Sequence, residues 1–295
     1  MKTSYLHQTI LRKFSKISLI INYTVIICLF GLLSHTTNSM AANKGELRIG
    51  GSGTDLSTMS ILCKAFSATN SEIRCVILKS LGSGGGIRAV QSAKLDIGLT
   101  SRPLKKKEYS PGLKIIQYAR TPLVFVVEKS NPVNSITSTQ LADLYSGKQL
   151  RWSNGNVARP ILRPTRDSDS LLVMKELPSL RKSLVAARQR RGVSVGTTDQ
   201  VAAEMLANVP GAFGTTSLAV ILSEQRPLKP LTLDNVAPTI ENAKKNLYRF
   251  QKKLFLVYKA PVTPLIKKYL KFIQSPEGMK ILEQTGHINI GFAIH

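Results

Sequence analysis

The chain has 295 residues, 43% of them hydrophobic and 20% charged, a composition that is typical of a globular protein and not of a disordered one. Its 41 lysines and arginines against 17 aspartates and glutamates give a formal net charge of +24, which attracts anions. Aromatic residues make up only 6%, and the basic clusters are scattered with no recognisable binding module, which argues against a nucleic-acid-binding protein.

The first 41 residues have the order of an export signal: a basic start, an apolar run from Ile17 to Leu33, and then small and polar residues. Ser39 and Ala41 fit the small-residue rule for cleavage after Ala41. A retained anchor is the alternative, since the apolar run is barely long enough to span a bilayer. We expect a cleaved signal and a periplasmic or secreted protein. Four basic and no acidic residues lie in this segment, so the exported chain keeps a charge of +20.

Strand-like and helix-like segments alternate along the rest of the chain, which predicts an α/β fold with largely parallel sheets. In chain order, strands are predicted over 47–50, 73–79, 96–99, 123–128 and 253–258. Helices are predicted over 55–69, 87–94, 138–145, 264–273 and 276–284, the third with Ser138 as its N-cap. Cys63 and Cys75 fall on the first helix and the strand after it, where they either form a disulfide or remain two buried thiols.

The last two predicted strands, 123–128 and 253–258, are expected to carry the chain out of one lobe and back into it. Lobe one is then residues 43–122 plus 250–295, and lobe two is the continuous segment 123–249. A cleft between two such lobes is a natural place for a small ligand.

Two glycine-rich loops follow the first two strands. Their sequences are Gly50-Gly51-Ser52-Gly53-Thr54 and Gly82-Ser83-Gly84-Gly85-Gly86. Each is expected to place free backbone N–H groups and the positive end of a helix dipole at the end of a strand, an arrangement that holds a phosphate-sized anion. Ser52, Thr54 and Ser83 add hydroxyl donors. Neither loop has the Walker lysine or the spaced GxGxxG fingerprint, so a nucleotide site is not predicted.

A third candidate loop runs from Arg163 to Ser170 and precedes a helical segment. Arg163 and Arg166 are able to grip an oxyanion bidentately, and hydroxyl groups stand at the start of the helix. The alternative is that Asp167 or Ser168 only caps that helix.

In their order along the chain, these three loops resemble those of the phosphate-binding proteins of bacterial ABC importers. The resemblance extends over nearly the whole mature chain. Further segments of the resemblance are Asp96-Ile97-Gly98, Leu144-Tyr145-Ser146-Gly147-Lys148 followed by Trp152, Gly211-Ala212-Phe213-Gly214 and Ser275-Pro276-Glu277-Gly278. The resemblance implies the two-lobed type II periplasmic-binding-protein fold, with two crossing strands as the hinge.

The resemblance also implies which residues bind the ligand. Thr54 matches the family's first hydroxyl donor with the backbone of Asp55 beside it, and Ser83 matches the hydroxyl of the second loop. Ser168 and Ser170 match a hydroxyl pair in lobe two, and either Arg163 or Arg166 is the gripping arginine. The full set of predicted ligand-binding residues is Ser52, Gly53, Thr54, Asp55, Ser83, Gly84, Gly85, Ser101, Arg163, Arg166, Ser168 and Ser170.

Two departures from the family pattern bear on selectivity. Ser101 stands where phosphate-specific members carry an aspartate that accepts the proton of hydrogen phosphate, and Asp169 stands where they have glycine. A serine does not repel fully ionised anions as a carboxylate does. Selectivity for phosphate over sulfate is therefore open, as are molybdate-like anions and organic phosphates.

No catalytic arrangement competes with the binding sites. The mature chain has only His287 and His295, both near its end, which leaves little material for a histidine metal cluster or a Ser-His-Asp triad. We therefore expect a monomeric binding protein without catalytic residues, cofactor or metal. Its expected partners are inorganic phosphate or a similar oxyanion and ABC permease subunits. The alternatives are a secreted phosphatase-like relative and a basic polyanion-binding or adhesion protein that retains the fold.

Overall fold

In the computed structural model of the chain, residues 45–294 are described, and they alternate strands with helices as the sequence predicts. The strands are β1 (Gly45–Gly51), β2 (Ile73–Ile77), β3 (Ile97–Thr100), β4 (Leu113–Glu128), β5 (Ser135–Ile136), β6 (Arg159–Leu162), β7 (Ser194–Val195), β8 (Ala212–Ser217), β9 (Leu228–Pro230), β10 (Thr232–Leu233), β11 (Gln251–Lys259) and β12 (Ile288–Asn289). The helices are α1 (Leu56–Ala68), α2 (Gly82–Gln91), α3 (Ser138–Ser146), α4 (Ser168–Glu176), α5 (Leu180–Gln189), α6 (Asp199–Asn208), α7 (Leu218–Ser223), α8 (Ile240–Lys244), α9 (Pro264–Ile273) and α10 (Pro276–Gln284).

The principal sheet has the strand order β2-β1-β3-β11-β4-β8-β6-β7, with β9 and β12 also paired to β4. β1 is parallel to β2 and β3, and β6 is parallel to β7 and β8. β11 and β4 are antiparallel to their neighbours and stand between these two parallel groups. This is an α/β fold with a parallel sheet in each half.

β4 is the strand that joins the two halves. Its first part, residues 113–122, pairs with β11, and its second part, residues 123–127, pairs with β8. At the junction the backbone N–H of Leu123 donates to the carbonyl of Phe250 at 2.8 Å. The chain therefore crosses between the halves twice, at neighbouring positions.

The prediction of a strand over 123–128 found only the second part of β4. That part is a continuous apolar run, whereas residues 113–122 include Lys114, Gln117 and Arg120 on a partly exposed surface. A continuous buried run is recognisable from sequence, but a mixed pattern beside a turn is not.

The apolar cores of the two halves are separate. One contains Leu47, Met59 and Phe66 together with buried residues of α9, and another contains Leu123, Leu141 and further residues up to position 250. The lobe boundaries 43–122 plus 250–295 and 123–249 stay a prediction, and Phe250, which they place in lobe one, packs in the core that contains Leu123.

Two local predictions were wrong. The second glycine run is not a loop before a helix over 87–94, because α2 already begins at Gly82. Glycine is a poor helix former, so sequence favoured a loop. The N-cap of α3 is Thr137 and not Ser138, with the Thr137 side chain accepting from the backbone N–H of Gln140.

Within residues 45–294, no helix combines the length and the hydropathy that crossing a bilayer requires. The predicted export signal over 1–41 lies outside the described residues.

Candidate functional site

A cavity of about 450 Å³ lies where the ends of β1, β3 and β6 meet the starts of α2, α4 and α6. Six of the predicted ligand-binding residues line it: Ser52, Ser83, Gly84, Arg163, Arg166 and Ser168. The other six do not line it: Gly53, Thr54, Asp55, Gly85, Ser101 and Ser170. The structure thus brings parts of all three predicted loops to one cavity.

Three serines connect the first two loops. The hydroxyl groups of Ser52 and Ser101 are 2.5 Å apart, and the backbone N–H of Ser101 donates to Ser83 Oγ at 3.0 Å. Because Ser83 Oγ accepts this bond, its own hydrogen is free to donate into the cavity. Ser101 does not line the cavity, so its contribution is to position Ser52 and Ser83.

The first turn of α2 forms part of the cavity wall. Gly82, Ser83 and Gly84 form its first turn and line the cavity, and no side chain caps this end of the helix. The first N–H groups of a helix lack partners inside it, and the helix dipole is positive there. Together with the Ser83 hydroxyl, this turn supplies donors that suit an anion.

A cluster of charged side chains lies at the cavity wall and behind it, and is here called the interlobe ion cluster: Arg163, Asp167 and Asp199, which line the cavity, and Asp169 and Lys252, which do not. Lys252 Nζ contacts Asp169 Oδ1 and lies 3.3 Å from Asp199 Oδ1. Arg163 Nη2 is 3.0 Å from Asp167 Oδ2 and 3.4 Å from Asp199 Oδ2. All members except Asp167 are buried, so each charge depends on its neighbours for compensation.

Thr54 takes part in this cluster. Its hydroxyl donates to Asp199 Oδ1 at 3.0 Å and accepts from Lys252 Nζ at 2.6 Å. Thr54 is only 1% exposed. The hydroxyl that the resemblance assigns to the ligand is thus bonded to side chains of the chain itself.

Burial and neighbouring charges shift the pKa values of the cluster in different directions. Burial, together with the charges of Asp167 and Asp199, outweighs Lys252 and raises the pKa of Asp169 to about 6. Burial alone would raise the pKa of Asp199, but Lys252 and Arg163 bring it below its ordinary value. Burial alone would lower the pKa of Lys252, but Asp169 and Asp199 raise it. Asp199 and Lys252 are therefore charged at neutral pH.

Sequence reasoning missed Lys252 and Asp199. Lys252 occupies a buried position of β11, but it stands between Gln251 and the exposed Lys253 at the polar start of the strand, so no signal in the sequence indicated its burial. Asp199 follows Thr198, whose side chain accepts from the N–H of Val201 and so caps α6, and an acidic residue at the first position of a helix needs no functional explanation. Nothing in the local sequence indicates that both approach Thr54.

The third loop supports both of its readings. Asp167 is the N-cap of α4, with its side chain accepting from the backbone N–H of Asp169 at 3.0 Å. Arg163, Arg166 and Ser168 nevertheless line the cavity. Asp167 lines the cavity as well, so capping and a place in the cavity wall are compatible even in one side chain.

Among residues 45–294, the side chains form neither a disulfide nor a metal site. Cys63 and Cys75 are free thiols in this structure. Within the described part of the chain, no group of three or more histidine, cysteine, aspartate or glutamate side chains is placed to hold a metal ion.

Comparisons with known proteins agree with this architecture. Residues 36–277 match the PBP superfamily domain. The phosphate-binding protein PstS of Borreliella burgdorferi is 25% identical over 256 residues, covering 84% of this chain and 91% of that protein. Protein SphX of Synechococcus elongatus is 25% identical over 228 residues, covering 70% of this chain and 66% of SphX. The match spans only 38% of PstS 2 from Streptococcus agalactiae, at 32% identity.

Solved structures give the same fold. A chain from Clostridium perfringens, described as a phosphate ABC transporter substrate-binding protein with bound phosphate, superposes with a TM-score of 0.71 at 22% identity. The alignment covers 84% of this chain and all of that one. The periplasmic molybdate-binding protein of Azotobacter vinelandii gives a TM-score of 0.60 at 14% identity, covering 83% of this chain and 100% of that one.

Apart from SphX, these relatives and structures are named as binding proteins, which agrees with the prediction of a binding protein. They also confirm the predicted two-lobed α/β fold. The chain belongs to the PBP superfamily and resembles the phosphate-binding proteins of that superfamily.

Proposed function

We propose that this protein captures a phosphate group in the cavity between its lobes and delivers it to the permease of an ABC importer. The observation that carries this proposal is the meeting of an uncapped helix N-terminus with the hydroxyl groups of Ser52, Ser83 and Ser168 in one basic cavity. The relatives named as phosphate-binding proteins support the same ligand. Export from the cytoplasm and the permease partner are part of the proposal.

Arg166 is the better candidate for the gripping arginine. The guanidinium group of Arg163 already donates to Asp167, Asp199 and the carbonyl of Gly196. Of its five N–H donors, these bonds leave few for a ligand. Arg166 lines the cavity and is exposed, so its donors remain available. Arg163 then positions the loop, and Arg166 binds the anion.

Asp199 supplies the carboxylate that Ser101 does not. It lines the cavity, and its lowered pKa keeps it ionised at neutral pH. An ionised carboxylate accepts a hydrogen bond from a protonated oxyanion and repels a fully ionised one. Asp199 therefore favours hydrogen phosphate over sulfate.

Thermal unfolding of the purified chain with matched concentrations of phosphate, arsenate, sulfate and molybdate at constant ionic strength tests this proposal. A ligand at about 100 times its Kd stabilises the fold by about 2.7 kcal/mol, which raises the midpoint measurably. We expect the midpoint to rise with phosphate and arsenate and to stay unchanged with sulfate. If no anion raises the midpoint, the chain is not a small-oxyanion receptor. If only polyanions stabilise it, with a steep loss in salt, the polyanion-binding alternative is correct.

A further inference from the structure

The mouth of the cavity is lined by four basic side chains, here called the cation rim: Arg88, Lys105, Lys107 and Arg166. All four are exposed. Arg88 belongs to α2, and the two lysines stand on or beside the short turn Lys106–Glu108. Arg166 belongs to the β6–α4 loop, which comes from the other half of the protein. The rim thus contains basic side chains from both halves of the protein.

The cation rim differs from the other basic residues of the cavity because none of its side-chain nitrogens forms a salt bridge within 4 Å to a carboxylate of residues 45–294, although the backbone N–H of Lys105 donates to Glu108. Arg102 pairs with Glu108 at 2.6 Å, and Arg163 pairs with Asp167 and Asp199. Lys252 below them pairs with Asp169 and Asp199. The inner charges are balanced by the chain itself, whereas none of the described acidic residues forms a salt bridge with the rim.

A single phosphate group does not account for both the donors at the start of α2 and the four basic side chains of the cation rim. A phosphate monoester carries about −1.5 to −2 charges at pH 7, and the first turn of α2 with Ser83 already provides donors for it. The cavity of about 450 Å³ falls within the roughly 300–1,000 Å³ that is usual for organic ligands. The five heavy atoms of orthophosphate fill only part of such a space.

We infer that the ligand is a phosphate that carries a second anionic group, with the first phosphate held at Ser83, Gly84 and Arg166 and the second anion held by the other three residues of the cation rim. Condensed phosphates and phosphorylated carboxylic acids share this chemistry. The inference rests on the proposed function, because it adds a second subsite to the same cavity. Binding across the mouth also engages Arg166 from one half and Arg88 from the other, so a two-headed ligand favours the closed cleft.

Calorimetric titration of the purified chain at pH 7.5 and constant ionic strength tests the second subsite with four probes. Pyrophosphate and phosphonoacetate carry a second anion, whereas orthophosphate and methyl phosphate do not. We expect 1:1 binding for all four, and a Kd about tenfold lower for a two-headed probe than for methyl phosphate. Pyrophosphate binding best would identify the condensed class, and phosphonoacetate binding best would identify the carboxylate class.

A double variant, Arg88→Gln with Lys107→Gln, localises the effect. It should weaken binding of the favoured two-headed probe about tenfold and change methyl phosphate binding by less than about twofold. Lys64→Gln is the control, because Lys64 is exposed on α1 and does not line the cavity. It should leave both affinities unchanged.

Two outcomes would overturn the second subsite while leaving the proposed function intact: two-headed probes that bind no tighter than methyl phosphate, or a rim variant that weakens all probes equally. In the second case the rim only adds to the general attraction of a protein with a net charge of +24. If none of the four probes binds, the proposed function itself fails.

Discussion

Lys252 and Lys253 are neighbours in sequence with opposite environments. Lys252 is 2% exposed and contacts Asp169, Asp199 and Thr54, whereas Lys253 is exposed. A buried ammonium group is tolerated only when carboxylates and hydrogen bonds compensate it. The two lysines therefore offer a matched pair for measuring what the interlobe ion cluster contributes.

Replacing Lys252 by methionine should strongly destabilise the fold. The change leaves Asp169 and Asp199 with less compensation in a buried environment, and breaking a buried pair from one side costs about 3–5 kcal/mol. Urea unfolding of Lys252→Met measures the loss, and Lys253→Met is the control, expected to remain within about 0.5 kcal/mol of wild type. Equal stability of the two variants would mean that the cluster contributes nothing to the fold.

Asp169 should give the protein an unusual pH dependence. Its pKa is raised to about 6 in the folded chain, against about 3.9 in an unfolded one. Between these values the folded state retains a proton that the unfolded state has lost, so this group lowers stability as the pH rises from 4 to 6. The free energy of unfolding of wild type minus that of Asp169→Asn should therefore fall across this window in urea titrations. A difference that rises instead would show that Lys252 dominates and holds the pKa low.

Asp199 should decide which anions are rejected. The Asp199→Asn variant has no carboxylate at this place in the cavity wall to repel a fully ionised anion. Sulfate should therefore begin to bind, and the ratio of phosphate affinity to sulfate affinity should fall about tenfold. Competition titrations at pH 7.5 measure this ratio. Asp143→Asn, whose side chain lies outside the cavity, is the control. An unchanged phosphate-to-sulfate ratio would remove Asp199 from the selectivity mechanism.

At the scale of elements, α2 lies unusually close to the strands that support it. A Cβ atom on Gly86 would be 2.8 Å from Gly51 Cα and 3.0 Å from the carbonyl oxygen of Leu99. These contacts are with backbone, which cannot move aside as a flexible side chain does. The glycine therefore sets how close the helix N-terminus comes to the cavity.

Gly86→Ala should push α2 away from β1 and β3. We expect a loss of about 1–3 kcal/mol in stability, as for other overpacked sites, together with weaker anion binding. For stability, Gly84→Ala is the matched control on the same helix, because its Cβ would meet only the ends of Arg88 and Arg102 side chains, at 3.3 and 3.7 Å. If both variants unfold at the same denaturant concentration, the close packing of α2 is not needed.

Helix boundaries were predictable where local chemistry fixes them. α9 and α10 match their predicted ranges because Thr263 and Ser275 cap them and a proline follows each cap. The start of α2 was missed because its glycines favour a loop unless tertiary packing requires close approach. Local signals therefore recovered the element order, whereas the boundaries that depend on tertiary contacts needed the structure.

The candidate site was predictable to a similar extent. The three loops were found because glycine, serine and arginine near strand ends have a recognisable meaning, and the resemblance put them in order. The pairing of Thr54 with Asp199 and Lys252 joins residues separated by 145 and 198 positions. Contacts of that range follow from the tertiary fold, and no local pattern indicates them.

At the scale of the whole molecule, the two halves contact each other directly beneath the cavity. Thr54 bonds to Asp199, and the side chain of Gln200 donates to the carbonyl of Gly53 at 2.9 Å. β4 and the chain before β11 connect the halves at the same level. Because the loops that line the cavity come from both halves, the proposed ligand would contact both lobes at once.

The measurement that tests the central claim most directly is a calorimetric titration of the purified chain and of Ser83→Ala with orthophosphate. The Ser83 hydroxyl accepts from Ser101 and is free to donate into the cavity. Ser92→Ala, at the far end of α2, is the control. The proposal predicts one phosphate per chain, about tenfold weaker binding in Ser83→Ala and unchanged binding in Ser92→Ala. Absence of saturable binding, or equal affinity in all three proteins, would contradict it.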